Sequence, residues 1–142
     1  MFIVNVEGAI RRHGRWLLIR RGAKEEHAAG TLALVGGKVE AEGASADVLE
    51  ESLRREIREE VGISVAEHMR YSHSTSFVTD RGDPVVNVVF ACEWTSGEAF
   101  AASPEEVAEV LWLTTEEAFD RADVPEWTRE SVRRAENALA RR

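Results

Sequence analysis

The order of its segments predicts a mixed α/β or α+β domain built on a mixed sheet. Strand-like runs stand before, between and after helix-like ones along the chain. No linker, internal repeat or low-complexity stretch divides it. Its 142 residues suit one domain spanning 1–142, long enough to bury roughly two-thirds of the unfolded surface.

The elements follow in order. Phe2–Ile10 (FIVNVEGAI) and Arg15–Arg21 (RWLLIRR) read as two strands around Arg11-Arg12-His13-Gly14, whose length and glycine suit a hairpin turn. Thr31–Val35 (TLALV) is a short β-type run ending on Gly36-Gly37, expected as a flexible turn. Leu49, Leu53, Ile57 and Val61 recur every four residues and draw one apolar stripe along a helix from Val48 to Val61. Asp47, with Glu50 three residues on, is the expected N-cap, and Gly62 the expected C-terminal stop. Tyr71–Val78 and Pro84–Trp94 are strand-like and flank the turn signal Asp80-Arg81-Gly82-Asp83. Glu109–Leu113 is a candidate strand, and Thr115–Arg121 and Glu126–Arg141 read as helices.

Composition narrows the partners. A net charge of −8 repels phosphate backbones and disfavours general nucleic-acid binding. Small phosphorylated substrates stay allowed, because a bound divalent cation reverses the local sign. The single cysteine, Cys92, lies in the apolar run VVNVVFACEW and reads as a buried strand thiol. With no intramolecular disulfide possible, no basic leader and no apolar run near the ~18 residues that span a bilayer, a cytoplasmic location is expected. Monomer and homodimer are both open.

The chemistry concentrates between Gly36 and Ile63. Residues three and four apart share a helix face, so Glu56, Glu59 and Glu60 can converge. Like charges at that spacing cost about 0.2–0.5 kcal/mol per pair unless neutralised. Arg54, Arg55 and Arg58 alternate with the acids and compensate in part. Glycines upstream let carbonyl oxygens approach an ion, and carboxylates plus a carbonyl are the donors Mg²⁺ prefers. Spacing alone leaves a solvated charged helix and a cation site both open.

Gly37 followed by REIREEVGI (Arg55–Ile63) resembles the signature box of the Nudix hydrolases, G-x5-E-x7-R-E-U-x-E-E-x-G-U with U aliphatic. Its second half matches at every specified position, and GGKVE (Gly36–Glu40) is similar to the family's usual opening. The resemblance implies an α/β/α sandwich with a mixed central sheet. It departs in the middle: Asp47 stands where the pattern has glutamate, and the loop before it is four residues longer. Asp47 is the candidate auxiliary box carboxylate, with Glu40 or Glu42 as alternatives.

The resemblance implies that Glu56, Glu59 and Glu60, with the Gly36 carbonyl, hold Mg²⁺ (Mn²⁺ a possible substitute). Arg55 would pair with a box carboxylate. The implied reaction is water attack on phosphorus in a nucleoside diphosphate linked to another group. The base comes from the box or from a later loop, with Glu105 and Glu106 as candidates; Ser103-Pro104-Glu105-Glu106 reads equally as a helix start. Arg20 or Arg21 would clamp the nucleotide, or be strand-end charges. Lys38 would contact phosphate, or be solvated. Phe77, Phe90 or Trp127 would stack a base, or belong to the core. His27, His68 and His73 are expected in loops or at the surface. The proline marking ADP-ribose hydrolases is replaced by Thr79, and Tyr71 comes too soon for a diadenosine polyphosphate hydrolase. Elimination therefore favours the MutT-type group, which cleaves nucleoside triphosphates to monophosphate and pyrophosphate. A weakly active or inactive nucleotide sensor, and a hydrolase of nucleotide sugars or ADP-ribose, are the alternatives.

Overall fold

The computed structural model describes residues 1–23, 29–41 and 43–141. Its elements run β1 (Ile3–Arg12), β2 (Arg15–Arg21), β3 (Leu32–Ala33), β4 (Val35–Lys38), α1 (Val48–Val61), β5 (Ser64–Val65), β6 (Arg70–Val78), β7 (Pro84–Ser96), β8 (Val107–Leu113), α2 (Thr115–Asp120) and α3 (Glu126–Ala140). The strands form one eight-stranded mixed sheet. The β1·β7 pair is parallel, and the other pairs are antiparallel.

Alternation along the strands sends one set of side chains to each face of the sheet, and each face is roofed by helix. On one side Leu53, Ile57 and Val61 of α1 pack on Val6, Ile10, Leu17, Ile19 and Val35. On the other, Val132, Ala135 and Ala138 of α3 and Ala118 of α2 pack on Ala9, Trp16, Leu18, Val89 and Ala91. The expected α/β/α layering is what the chain adopts, and the stripe that predicts α1 is the stripe it buries. Cys92 is buried beneath α1, and burial pushes its thiol up to about 12.

Several local expectations are corrected. The first hairpin turns on two residues only, His13 and Gly14, both at positive φ, which lets β1 extend to Arg12. Gly36 and Gly37 do not form a flexible turn. They lie in β4, where Gly36 pairs with Glu7 and Gly37 with Val6. Asp47 does not cap α1 through its side chain. Its backbone is left-handed (φ 55°), which turns the carboxylate away from the amides, and only its carbonyl bonds Glu51 N–H. Gly62 ends the helix as expected, at φ 70°. The Ser103–Glu106 segment makes one turn and then enters β8 rather than starting a helix, because Gly22 and Val107 draw it onto the sheet. β5 is a two-residue strand too short to leave a periodic signal.

Candidate active site

The cluster is built where α1 crosses β4. Leu53, Ile57 and Val61 fix the rotation of α1, and Glu56 and Glu60, three residues past Leu53 and Ile57, are thereby aimed at the edge facing Gly36-Gly37. Gly36 N–H donates to Glu60 Oε1 at 3.3 Å. A Cβ on Gly37 would stand 2.5 Å from the carboxyl carbon of Glu56, so that carboxylate rests against bare backbone. Glu60 is 6% exposed, the least accessible acid of the helix.

Glu106 joins from the turn before β8. Its carbonyl accepts from Gly22 N–H at 2.9 Å, and its carboxyl shares a hydrogen bond with Glu60. Two carboxyl groups share such a bond only if one keeps its proton. Burial, the Glu56 charge and Glu106 together push the Glu60 pKa up to about 9. Glu56 is raised as well, chiefly by burial, against the lowering pull of Arg55. Arg55 lies 3.5 Å from Glu56 Oε1 and 4.0 Å from Glu59 Oε1, and its Nη2 reaches the Lys38 carbonyl at 3.5 Å.

Burial, more than any other cause, raises both acids, and of the two only Glu56 has an arginine beside it. The donors are hard oxygens, anionic and crowded, beside backbone free of Cβ atoms; in kind they fit a divalent cation. Among the described residues, no three His, Cys, Asp or Glu side chains stand as a closed metal-sized group. The arrangement is therefore a converging set and not a finished cage.

The remaining sequence candidates are distributed unevenly. Glu59 lies outward, with 61% of its side chain exposed. Glu105 is exposed on the turn, and its carbonyl packs over Gly22. Arg20 is committed elsewhere: its guanidinium donates to Glu109 at 2.6 Å, to Asp123 at 2.8 Å and to the Gly30 carbonyl at 2.9 Å. Burial raises the Glu7 carboxyl above its usual range, against the lowering pull of its Asn87 hydrogen bond and of nearby Arg21. Lys38 is exposed at the end of β4 and Phe77 is half-buried in β6. Phe90 is core, whereas Trp127 is 60% exposed on α3. His68 is at the surface, but His73 is not: it is buried under α3, with Nε2 3.3 Å from Ser131 Oγ. His27 and Glu42 lie outside the described residues.

Sequence reasoning missed Asn5, Glu7 and Asn87. Asn5 donates to Asn87 Oδ1 at 2.8 Å, and Asn87 donates to Glu7 Oε1 at 2.7 Å. The signal was present in FIVNVEGAI, where Asn5 and Glu7 put two polar groups on one face of a strand otherwise apolar.

Comparison with known proteins agrees with this geometry. The NUDIX domain model matches residues 3–135. The uncharacterized Nudix hydrolase YfcD of Escherichia coli (strain K12) is 36% identical over 124 residues, covering 84% of this chain. That match takes in 62% of YfcD, so the chain spans under two-thirds of the length of this relative. Among solved structures, a MutT NUDIX hydrolase from Burkholderia pseudomallei superposes with a TM-score of 0.79 at 27% identity, covering 94% of this chain and 98% of the other. The NUDIX domain of Shewanella oneidensis NrtR, complexed with ADP ribose, superposes at 0.76 with 14% identity, covering 99% and 90%, a likeness of fold alone. With the REIREEVGI helix set against a glycine pair and a family match over nearly the whole chain, this protein belongs to the NUDIX domain family.

Proposed function

We propose that the chain is a divalent-cation-dependent pyrophosphohydrolase of the MutT type, which takes a nucleoside triphosphate and water to the monophosphate and pyrophosphate. The observation that carries this reading is the convergence of Glu56 and Glu60 on Gly36-Gly37, with Glu106 against Glu60, where burial and the neighbouring acids push the Glu60 pKa up to about 9.

Glu56, Glu59 and Glu60, with the Gly36 carbonyl, are the proposed ligands of Mg²⁺, or of Mn²⁺ in its place. The cation would neutralise phosphate charge and lower the pKa of water at the site. Arg55 positions Glu56 and Glu59 by standing between them. Both later acids are exposed, and Glu106 is the better candidate for general base because its carboxyl already reaches Glu60. Asp47 is left as an auxiliary acid at most, its backbone bonded to α1 and its side chain not capping it. Arg21, Lys38 and Phe77 are the proposed substrate contacts; Arg20 is a poorer one, with three partners already.

A second reading is a nucleotide sensor without turnover, or a hydrolase of ADP-ribose. It is supported by the departure of the box in its first half, where Asp47 stands for glutamate after a loop four residues longer. One panel separates them: nucleoside triphosphates, nucleotide sugars and ADP-ribose, with Mg²⁺ and then EDTA, followed by phosphate or pyrophosphate release. Saturable binding with no metal-dependent release favours the sensor and overturns the hydrolase.

A further inference from the structure

The two glycines of β4 divide two polar sets. Gly37 faces the carboxylate of Glu56, whereas a Cβ on Gly36 would run into the backbone of Val6 and Glu7. On the α3 side of the sheet lies a polar row. Lys38, Asn5, Asn87 and Thr75 are register partners across β4, β1, β7 and β6. Glu7 sits one row further in, beside Gly36. The next row out, Phe77, Val85 and Ile3, is apolar.

Amide groups between two parallel strands cost stability unless their hydrogen bonds are met. Here the chain of bonds has a fixed direction. Asn87 donates its amide nitrogen to Glu7 Oε1, which leaves its oxygen to accept from Asn5. Two acceptors are left over, Asn5 Oδ1 and Glu7 Oε2, which receive no hydrogen bond among the described residues. Neither is a buried orphan, since the one buried side-chain atom without a partner among those residues is Arg129 Nε. Asn5 and Glu7 are each half-buried and keep part of their surface open.

We propose that Asn5, Asn87 and Glu7 form the specificity-determining floor for the nucleoside half of the substrate. It presents two acceptor oxygens to a group that offers hydrogen-bond donors, either the amino group of a purine or the hydroxyls of a ribose. The proposal rests on the hydrolase reading only for the identity of the ligand as a nucleotide. Lys38 at the end of the row supplies the positive charge on the phosphate side, and Phe77 the apolar one.

The test is calorimetric titration of guanosine, inosine and 2′-deoxyguanosine 5′-monophosphates in EDTA, where turnover plays no part. Wild type is expected to bind guanosine monophosphate at least about tenfold tighter than one of the two analogues, each lacking one donor. Which analogue is penalised tells base amino from ribose hydroxyl. Glu7→Gln and Asn5→Ala should each shrink that preference to within about twofold, while inorganic pyrophosphate binds them as it binds wild type. Equal binding of all three nucleotides by wild type, no saturable binding of any, or an unchanged preference in a folded variant overturns the proposal. Failure of the hydrolase reading shows separately, as absent turnover with Mg²⁺.

Discussion

Glu60→Gln should make the protein more stable in alkaline, metal-free buffer while disabling it. The carboxyl ionises at 4.5 in a free chain and near 9 in the folded one. Between those values the folded state binds more protons than the unfolded state, so stability falls as pH rises through that window. At pH 8 the folded chain must hold a proton that the unfolded chain has shed, a cost of up to about 5 kcal/mol at ~1.4 kcal/mol per pH unit. The amide carries no such cost. Its oxygen still accepts from Gly36 N–H, and its nitrogen can donate to Glu56 or Glu106. Allowing for relaxation, we expect a gain of about 2–3 kcal/mol at pH 8, or roughly 5–10 °C in Tm for a chain of this size, shrinking to about zero near pH 4.5. Added Mg²⁺ should narrow the gap by stabilising wild type alone. Thermal unfolding in EDTA across pH 4.5–9, with and without Mg²⁺, reads all of this. A variant less stable than wild type at pH 8, or a difference that does not change with pH, would refute the assignment of Glu60 as an acid crowded by its neighbours.

Three other perturbations separate chemistry from architecture. Gly37→Ala places a Cβ against the movable carboxyl of Glu56, so activity should fall at least about 100-fold with stability within about 1 kcal/mol; Gly36→Ala meets the fixed backbone of Val6 and Glu7 and should cost on the order of 3 kcal/mol in denaturant titration. Asp47→Gly should stabilise by about 0.5–1 kcal/mol, because the position is left-handed and its side chain does not cap α1; a loss of that size would restore Asp47 as the cap. Arg20→Ala should cost about 1–2 kcal/mol of stability and leave KM unchanged, as its partners Glu109, Asp123 and the Gly30 carbonyl all belong to the scaffold; a raised KM at unchanged stability would make it a substrate clamp.

What could be read from the residues was whatever is local and periodic. The Leu53–Ile57–Val61 stripe gives α1, its rotation and hence the direction of Glu56 and Glu60. The strand runs gave the sheet, with errors of a few residues at their ends. What escaped depended on partners far along the chain. Gly36-Gly37 looks like a turn until β1 pairs with it. Glu106 joins the cluster only because Gly22, 84 residues earlier, bonds its carbonyl. Asn87 meets Asn5 and Glu7 across a parallel pair that no local pattern announces. Arg20, exposed by position, is filled by Asp123 from the connection between α2 and α3.

The central claim is that the acids of α1 serve a cation in phosphate chemistry. It is tested most directly by pyrophosphate release from a panel of nucleoside triphosphates, for wild type and Glu56→Gln, with Mg²⁺ and with EDTA. The account predicts release that needs the metal and drops by orders of magnitude in the variant, while circular dichroism shows the fold unchanged. Release that persists in EDTA, or a folded Glu56→Gln protein as active as wild type, would contradict it.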